Sequence, residues 1–168
     1  MLLGHNAIAV ANIFVEKSYS EPSPLGPMTV MSLLKYVYFS HGWTLGRTGK
    51  PLINDEIQAW RYGPVVPSIY YKFADQGIYI REKAKSSFFR KATASLSDEE
   101  WRIVNKVYSQ YSQVSALRLT AVSNKEGSPW HKYRHAHYAR IPNETIRQFY
   151  ANLEKEQNKN FNPIAVPA

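Results

Sequence analysis

Three of the five histidines lie close together. His131, His135 and His137 fall within one short stretch. The first two, at i and i+4, would share a helix face, the spacing at which paired imidazoles grip a metal ion. The hydrolytic zinc pattern places Glu beside the first histidine as general base, and Lys132 stands there instead. Arg134 adds positive charge, and no neighbouring Asp or Glu offers the acceptor that orients a metal-bound imidazole. The run therefore reads as a solvated basic segment, and neither a metal nor a cofactor is expected.

Paired carboxylates occur twice. Asp98-Glu99-Glu100 opens a helix, where acids favour the positive end of the dipole and need no catalytic explanation. Asp55-Glu56 lies in a loop before a strand; acid–base work there would need two environments that push the pKa values apart. The chain has no cysteine, which excludes thiol nucleophiles, disulfides, iron–sulfur clusters and cysteine-ligated zinc. No Gly-X-Ser-X-Gly elbow, P-loop or dinucleotide fingerprint is present. Gly46-Arg47-Thr48-Gly49-Lys50 lacks the four-residue gap and the Ser or Thr of a phosphate loop, and reads as a tight basic turn. No catalytic residue is expected.

Binding chemistry is better supplied. Lys and Arg number 21 against 13 acids, a formal charge of +8. Residues 1–84 hold eight basic and six acidic groups, and residues 85–168 hold thirteen and seven, so the excess lies in the second half. Such an excess suits an acidic partner, whether protein, nucleic acid or membrane surface. Arg81, Lys83, Lys85, Arg90 and Lys91 surround Phe88-Phe89, an arrangement able to hold phosphates and stack bases. The same Phe pair could plug a core while its charged neighbours face water, and no helix-turn-helix with a polar reading helix is evident. Lys35 is the only full charge between Thr29 and Gly46. Either it is a desolvated functional amine, or it snorkels to the surface or pairs with an acid.

The elements that must position these groups are mostly helical. From Asn6, a capping residue, Ala7, Val10, Ala11 and Phe14 recur at helical spacing to about Lys17. The stretch Ser20 to Pro27 breaks regular structure. Thr29 caps a central helix with Met31, Leu34, Tyr38 and His41 on one stripe, widened by Leu33 and Val37, and apolar enough to sit in the middle of the fold. Gly46, Gly49 and Pro51 open a loop; Ile53 to Tyr62 alternates as a short strand or hairpin, which Gly63-Pro64 stops. A helix follows with Val66, Ile69, Tyr70 and Phe73 inward, ending near Gly77. Ser97 to Glu100 matches a capping box and starts the clearest amphipathic stripe: Trp101, Val104, Val107, Tyr108 and Tyr111. A short helix from Ser115 bears Leu117 and Leu119, and Asn143 caps a last one carrying Ile146, Phe149, Tyr150 and Leu153.

The expected fold class is thus mainly α: a single compact helical domain over residues 1–157 with one small β-strand pair or hairpin, and a flexible C-terminal tail over 158–168. With 168 residues, 44% hydrophobic and 20% charged, disorder is excluded. The apolar start, Met1 to Val15, has no Lys or Arg ahead of it and is interrupted by Asn12, which argues against a signal peptide. No membrane span is expected, and a cytoplasmic setting is.

Four blocks recur together in a known family: Ala9 to Phe14; Thr29 to Trp43, including Tyr38-Phe39-Ser40-His41-Gly42-Trp43; Ile57 to Pro67, including Ala59-Trp60-Arg61-Tyr62-Gly63-Pro64; and Ser128-Pro129-Trp130. In this order and spacing they resemble the Panacea domain of bacterial and phage-associated antitoxins, over roughly residues 5–155. The resemblance implies a non-enzymatic antitoxin that neutralises a cognate protein toxin by direct binding. Two alternatives stay open: an adaptor delivering a toxin to a protease, and a basic nucleic-acid-binding regulator. Two departures are visible: Ser123-Asn124 stand where a Thr-His pair is usual, and Val30 where proline is usual. Physically, Tyr38, His41, Gly42, Trp43, Trp60, Gly63, Pro64, Pro129 and Trp130 read as architecture. In that reading Gly42 ends the helix beside Trp43, and Trp60 and Trp130 pack between layers. Lys35, Tyr36, Arg61 and Tyr62 are the members least easily buried, and are the candidate partner-binding residues.

Overall fold

The computed structural model describes residues 4–86 and 92–157. The Phe88-Phe89-Arg90-Lys91 part of the basic segment and the proposed tail both lie outside the described residues. The architecture is mainly helical with a small antiparallel sheet. Seven α-helices are present among the described residues: α1 (Ala7–Ser20), α2 (Val30–Thr48), α3 (Pro67–Phe73), α4 (Asp98–Tyr111), α5 (Ala116–Ser123), α6 (Pro129–Tyr133) and α7 (Asn143–Glu156). The strands are β1 (Gln58–Trp60), β2 (Gly63–Val65) and β3 (Ala139–Arg140), in the order β2-β1-β3.

Helix α2 is the axle. Every residue from Ser32 to Leu45 is buried, and α1, α3, α4, α5, α7 and β2 all pack against it. Only a helix apolar around its whole circumference can be enclosed in this way. Its start is capped by the Thr29 hydroxyl, which accepts from the Ser32 N–H at 3.0 Å. The helix runs two turns past the end expected for it. Gly42 does not terminate it; Gly42 and Gly46 lie inside, where they let α7 come close. A Cβ at Gly42 would overlap the Tyr150 ring, and one at Gly46 would stand 2.7 Å from the Tyr150 Cβ. The supposed basic turn at Gly46 to Lys50 is the last turn of α2 with its cap at Gly49. Its Arg47 reaches Glu99 of α4 and Glu154 of α7, each at 3.0 Å. Met31, expected inward, is 41% exposed.

Polar groups in the shell are committed to joining elements. Asp55 accepts from the Ala7 N–H at 2.9 Å and from the Ser68 hydroxyl at 2.6 Å, fastening the starts of α1 and α3. Asn12, fully inside, donates to the Ala84 and Ala92 carbonyls and accepts from the Ala84 N–H, so one amide clamps the segments flanking residues 87–91. Ser97 and Glu100 form the capping box of α4, and Glu100 also meets His5 at 2.8 Å. The α4 stripe is rotated from the expected one: Ile103 is buried with Val104, Val107, Tyr108 and Tyr111, whereas Trp101 is 38% exposed. In α5, Leu119 is buried and Leu117 faces out. Pro142, rather than Asn143, occupies the cap position of α7.

Candidate functional site

Three of the four sequence blocks converge on the sheet. Gly63-Pro64 does not stop the hairpin but forms its second strand: Gln58 pairs with Val65, Ala59 with Pro64 and Trp60 with Gly63, leaving Arg61-Tyr62 as the turn. Pro64 has no N–H to donate, which suits the outer strand of the sheet. A third strand, absent from the sequence expectation, pairs Gln58 with Arg140 and Ala59 with Ala139. Helix α6, also unexpected, is capped by Ser128 and opened by Pro129. Its Trp130 donates its indole N–H to the Trp60 carbonyl at 2.8 Å, bracing the end of β1.

Beneath the hairpin lies Lys35. Its ammonium group donates to the Pro64 carbonyl at 3.2 Å, and the side chain is 2% exposed. Gly63, at φ 131°, covers it: a Cβ there would stand 2.6 Å from the Lys35 Nζ and 2.7 Å from the Asn124 Oδ1. Glycine is therefore required twice over, by conformation and by space. Ser123 donates to the Thr120 carbonyl and its hydroxyl lies 2.9 Å from the Asn124 Oδ1, so the departing Ser123-Asn124 pair borders this pocket. Of the two readings open for Lys35, the structure shows the desolvated amine: the side chain neither snorkels nor pairs with an acid. Burial pushes its amine down to about 7.

Above the hairpin is an exposed aromatic array. Trp60 and Gln58 share the outer face of β1, with Ala59 turned into the core. The Trp60 indole N–H donates to Gln58, whose amide donates to Glu56. Around the Trp60 ring stand Tyr70 at 5.0 Å, Tyr138 at 5.4 Å and Tyr71 at 6.0 Å between centroids. Tyr71 is 66% exposed and Tyr138, held at φ 60°, is 64% exposed. Tyr62 is similarly open, with the Arg61 guanidinium 5.3 Å from its ring centre. Trp60 and Trp130 are half-buried at the margin of the core rather than between layers.

The four expected partner-binding residues thus separate. Arg61 and Tyr62 form the exposed hairpin tip. Lys35 lies under it, out of contact with solvent. Tyr36 is 4% exposed, with its hydroxyl pushed up to about 12 by burial. It lies at the base of a different feature, an uncharged groove of about 690 Å³ bordered by Tyr19, Tyr79 and Tyr108. Lys35 is closed off from any partner in this conformation, and Tyr36 shows only the small part of its surface that meets the groove. Tyr71, Tyr138 and Arg140 are exposed on the same face and are not among the residues expected there. A Tyr-Tyr doublet was the available signal, because adjacent helical side chains diverge by about 100° and both rings cannot face one core.

The remaining motifs are structural or open. His41 is buried and bridges three elements: its Nε2 lies 2.9 Å from the Asn143 Oδ1 and its Nδ1 accepts from the Ile53 N–H at 3.3 Å. Desolvation lowers its pKa to about 4, so the ring is neutral with the proton on Nε2. His131 lies in α6, and His135 and His137 follow it on the exposed strap to β3. Among the described residues no three His, Cys, Asp or Glu side chains gather to hold a metal. Lys83 of the basic segment is paired with Glu16 at 3.3 Å. No helix among the described residues is long and apolar enough to cross a membrane.

A helical scaffold wrapped around one buried helix, with a braced hairpin on its surface, defines the class of domain. A family model described as "Antitoxin SocA-like, Panacea domain" matches residues 33–131, the span from within α2 into α6. Antitoxin SocA of Caulobacter vibrioides (strain NA1000 / CB15N) is 31% identical over 131 residues, covering 74% of this chain and 68% of that protein. The chain belongs to the SocA-like antitoxin family with the Panacea domain. No solved structure matches it.

Proposed function

We propose that this protein is a non-enzymatic antitoxin that neutralises a cognate protein toxin by direct binding, and that the hairpin face is the surface that binds. Family membership supports the antitoxin role. The observation that carries the choice of surface is the array of exposed rings gathered on Trp60, on a hairpin held from beneath by Lys35 and from the side by Trp130. Large rings fixed by their neighbours lose little entropy on binding, which is why Tyr, Trp and Arg dominate interface hot spots.

The test is co-expression with the product of the neighbouring gene. That product should arrest growth alone and be harmless with the wild-type protein. Tyr71→Ala combined with Tyr138→Ala should abolish both protection and co-purification while leaving the circular dichroism spectrum unchanged. Full protection by this variant would remove the hairpin face from the reading. A harmless neighbour would remove the toxin.

A further inference from the structure

Some cations are matched by acids: Arg47 with Glu99 and Glu154, Arg102 with Glu99, Arg147 with Glu144, and Lys17 with Glu21. Others, Lys106, Arg118 and Lys155 among them, are exposed without such a partner among the described residues. The cations beside the aromatic array belong to this second group. Arg61 at the turn and Arg140 across from Gln58 are exposed, and neither forms an ion pair with a carboxylate among the described residues. The strap that carries Arg140, from Pro129 to Ile141, contains Lys132, Arg134 and three histidines but no Asp or Glu. The acid nearest in register, Glu56, has its carboxylate engaged by Gln58 at 2.7 Å.

We infer that the hairpin face is built for an acidic protein surface, whose carboxylates meet Arg61 and Arg140 while an apolar or aromatic side chain seats among Tyr62, Tyr71 and Tyr138. The inference rests on the hairpin face being the binding surface and adds the chemistry of the partner. Exposed guanidiniums beside aromatic rings offer bidentate hydrogen bonds to carboxylates, and their field steers an oppositely charged partner into place. Nucleic acid is the competing occupant for a basic, aromatic surface. The rings around Trp60 form no parallel sandwich for a base: Tyr70 and Tyr138 close on it at interplanar angles of 65° and 80°, so edges meet faces.

The experiment uses the full chain with fluorescein-labelled poly-L-glutamate as probe and labelled oligothymidylate of equal charge as comparator. Anisotropy is measured at low and moderate salt. Poly-L-glutamate should bind more tightly than oligothymidylate. Arg61→Glu with Arg140→Glu should weaken it about tenfold or more, and the milder Arg61→Gln with Arg140→Gln should weaken it less. Lys106→Glu with Lys155→Glu makes the same change in net charge at exposed sites on α4 and the far end of α7, and should leave binding within about twofold. Equal weakening by the two reversed pairs would overturn the inference in favour of bulk charge. Tighter oligothymidylate binding would overturn it in favour of nucleic acid, and so would failure of poly-L-glutamate to bind. With the toxin in hand, the cases separate further. If Tyr71→Ala/Tyr138→Ala abolishes neutralisation while Arg61→Gln/Arg140→Gln does not, the face stands and its acidic partner falls. If neither matters, the face itself falls. Should the Glu pair fail to fold, the Gln pair decides.

Discussion

At the C-terminal half of α2, Gly42 admits the Tyr150 ring and Gly46 the α7 backbone, His41 has both nitrogens engaged, and Arg47 holds two carboxylates on two other helices. About two to three helical turns of α2 connect this end to the other, where Lys35 holds one carbonyl, Gly63 closes over it in a conformation that suits glycine, and rings and arginines above it face water. The first end is closely packed and its charges are paired, with the buried Ser40 hydroxyl left without a hydrogen-bond partner. The second spends stability on a buried amine and on apolar surface left uncovered. Proteins tolerate such local costs where a surface must be shaped for something outside the chain, and concentrate stability elsewhere to offset them. Whether this division is real can be decided by perturbing each end in turn.

The largest loss of stability is expected at the packed end. Tyr150 lies among Tyr38, Trp43 and Phe149, and its removal opens a cavity beside two glycines that cannot fill it. Tyr150→Ala should cost about 3–5 kcal/mol in urea unfolding. Gly42→Ala, which drives a methyl group into the same ring, should cost about 1–3 kcal/mol. A negligible effect of either would show that α7 is loosely held and would abolish the contrast.

His41 makes the same end sensitive to acid. Its pKa in the folded chain, about 4, lies below its ordinary value near 6.5. The unfolded chain therefore binds the extra proton first. The stability contribution is complete above about pH 6.5 and is lost as pH falls towards 4, by on the order of 3 kcal/mol. Urea midpoints measured from pH 7 to pH 4 should fall steeply. In His41→Gln, the part of that slope due to the imidazole should vanish.

Lys35 gives the hairpin end a pH dependence of the same sign at higher pH. Its amine is lowered from 10.5 to about 7, so the unfolded chain holds the proton more strongly across that range. Stability should rise as pH goes from 7 towards 9.5. Lys35→Met should remove that rise and, at pH 7, make the protein more stable by about 2 kcal/mol after the lost bond to Pro64 is counted. Loss of stability at pH 7 would mean that the lysine is a structural anchor, and the two ends would then differ in degree only.

The degree to which each end was legible in the sequence follows the same division. Capping residues act on adjacent backbone, so Asn6, Thr29, Ser97 and Ser115 announce their helices directly. The enclosed character of α2 is visible in its near lack of charge. By contrast, Gly42 resembles a helix end until Tyr150, more than a hundred positions later, is seen to need its space. The pairing of β3 with β1 joins residues eighty apart and occupies two positions, too few for any alternation to show. Exposure of Trp101 and burial of Ile103 on α4 were decided by which helix lay opposite. The aromatic face escaped notice because its members come from three separate segments, and only Trp60, Arg61 and Tyr62 stood in a recognisable block.

The smallest effect on stability should come from the residues proposed to matter most for function. Tyr71 projects from α3 with two-thirds of its surface in water, and its ring touches Trp60 and Tyr70 without closing over them. Truncation forfeits one edge contact and little burial, so Tyr71→Ala should shift stability by no more than about 0.5 kcal/mol. If the hairpin face binds a toxin, the same truncation removes a pre-ordered ring from the middle of the contact and should cost about 2 kcal/mol or more of binding, roughly a thirtyfold weakening. The ratio of the two effects is the informative quantity. A core residue such as Tyr150 impairs binding only as far as it unfolds the protein, so dilute urea that lowers the folded fraction of wild type equally should reproduce its phenotype. No concentration of urea should reproduce that of Tyr71→Ala. If binding by the Tyr71 variant falls only in step with its folded fraction, then the exposed rings are merely the outer edge of the core.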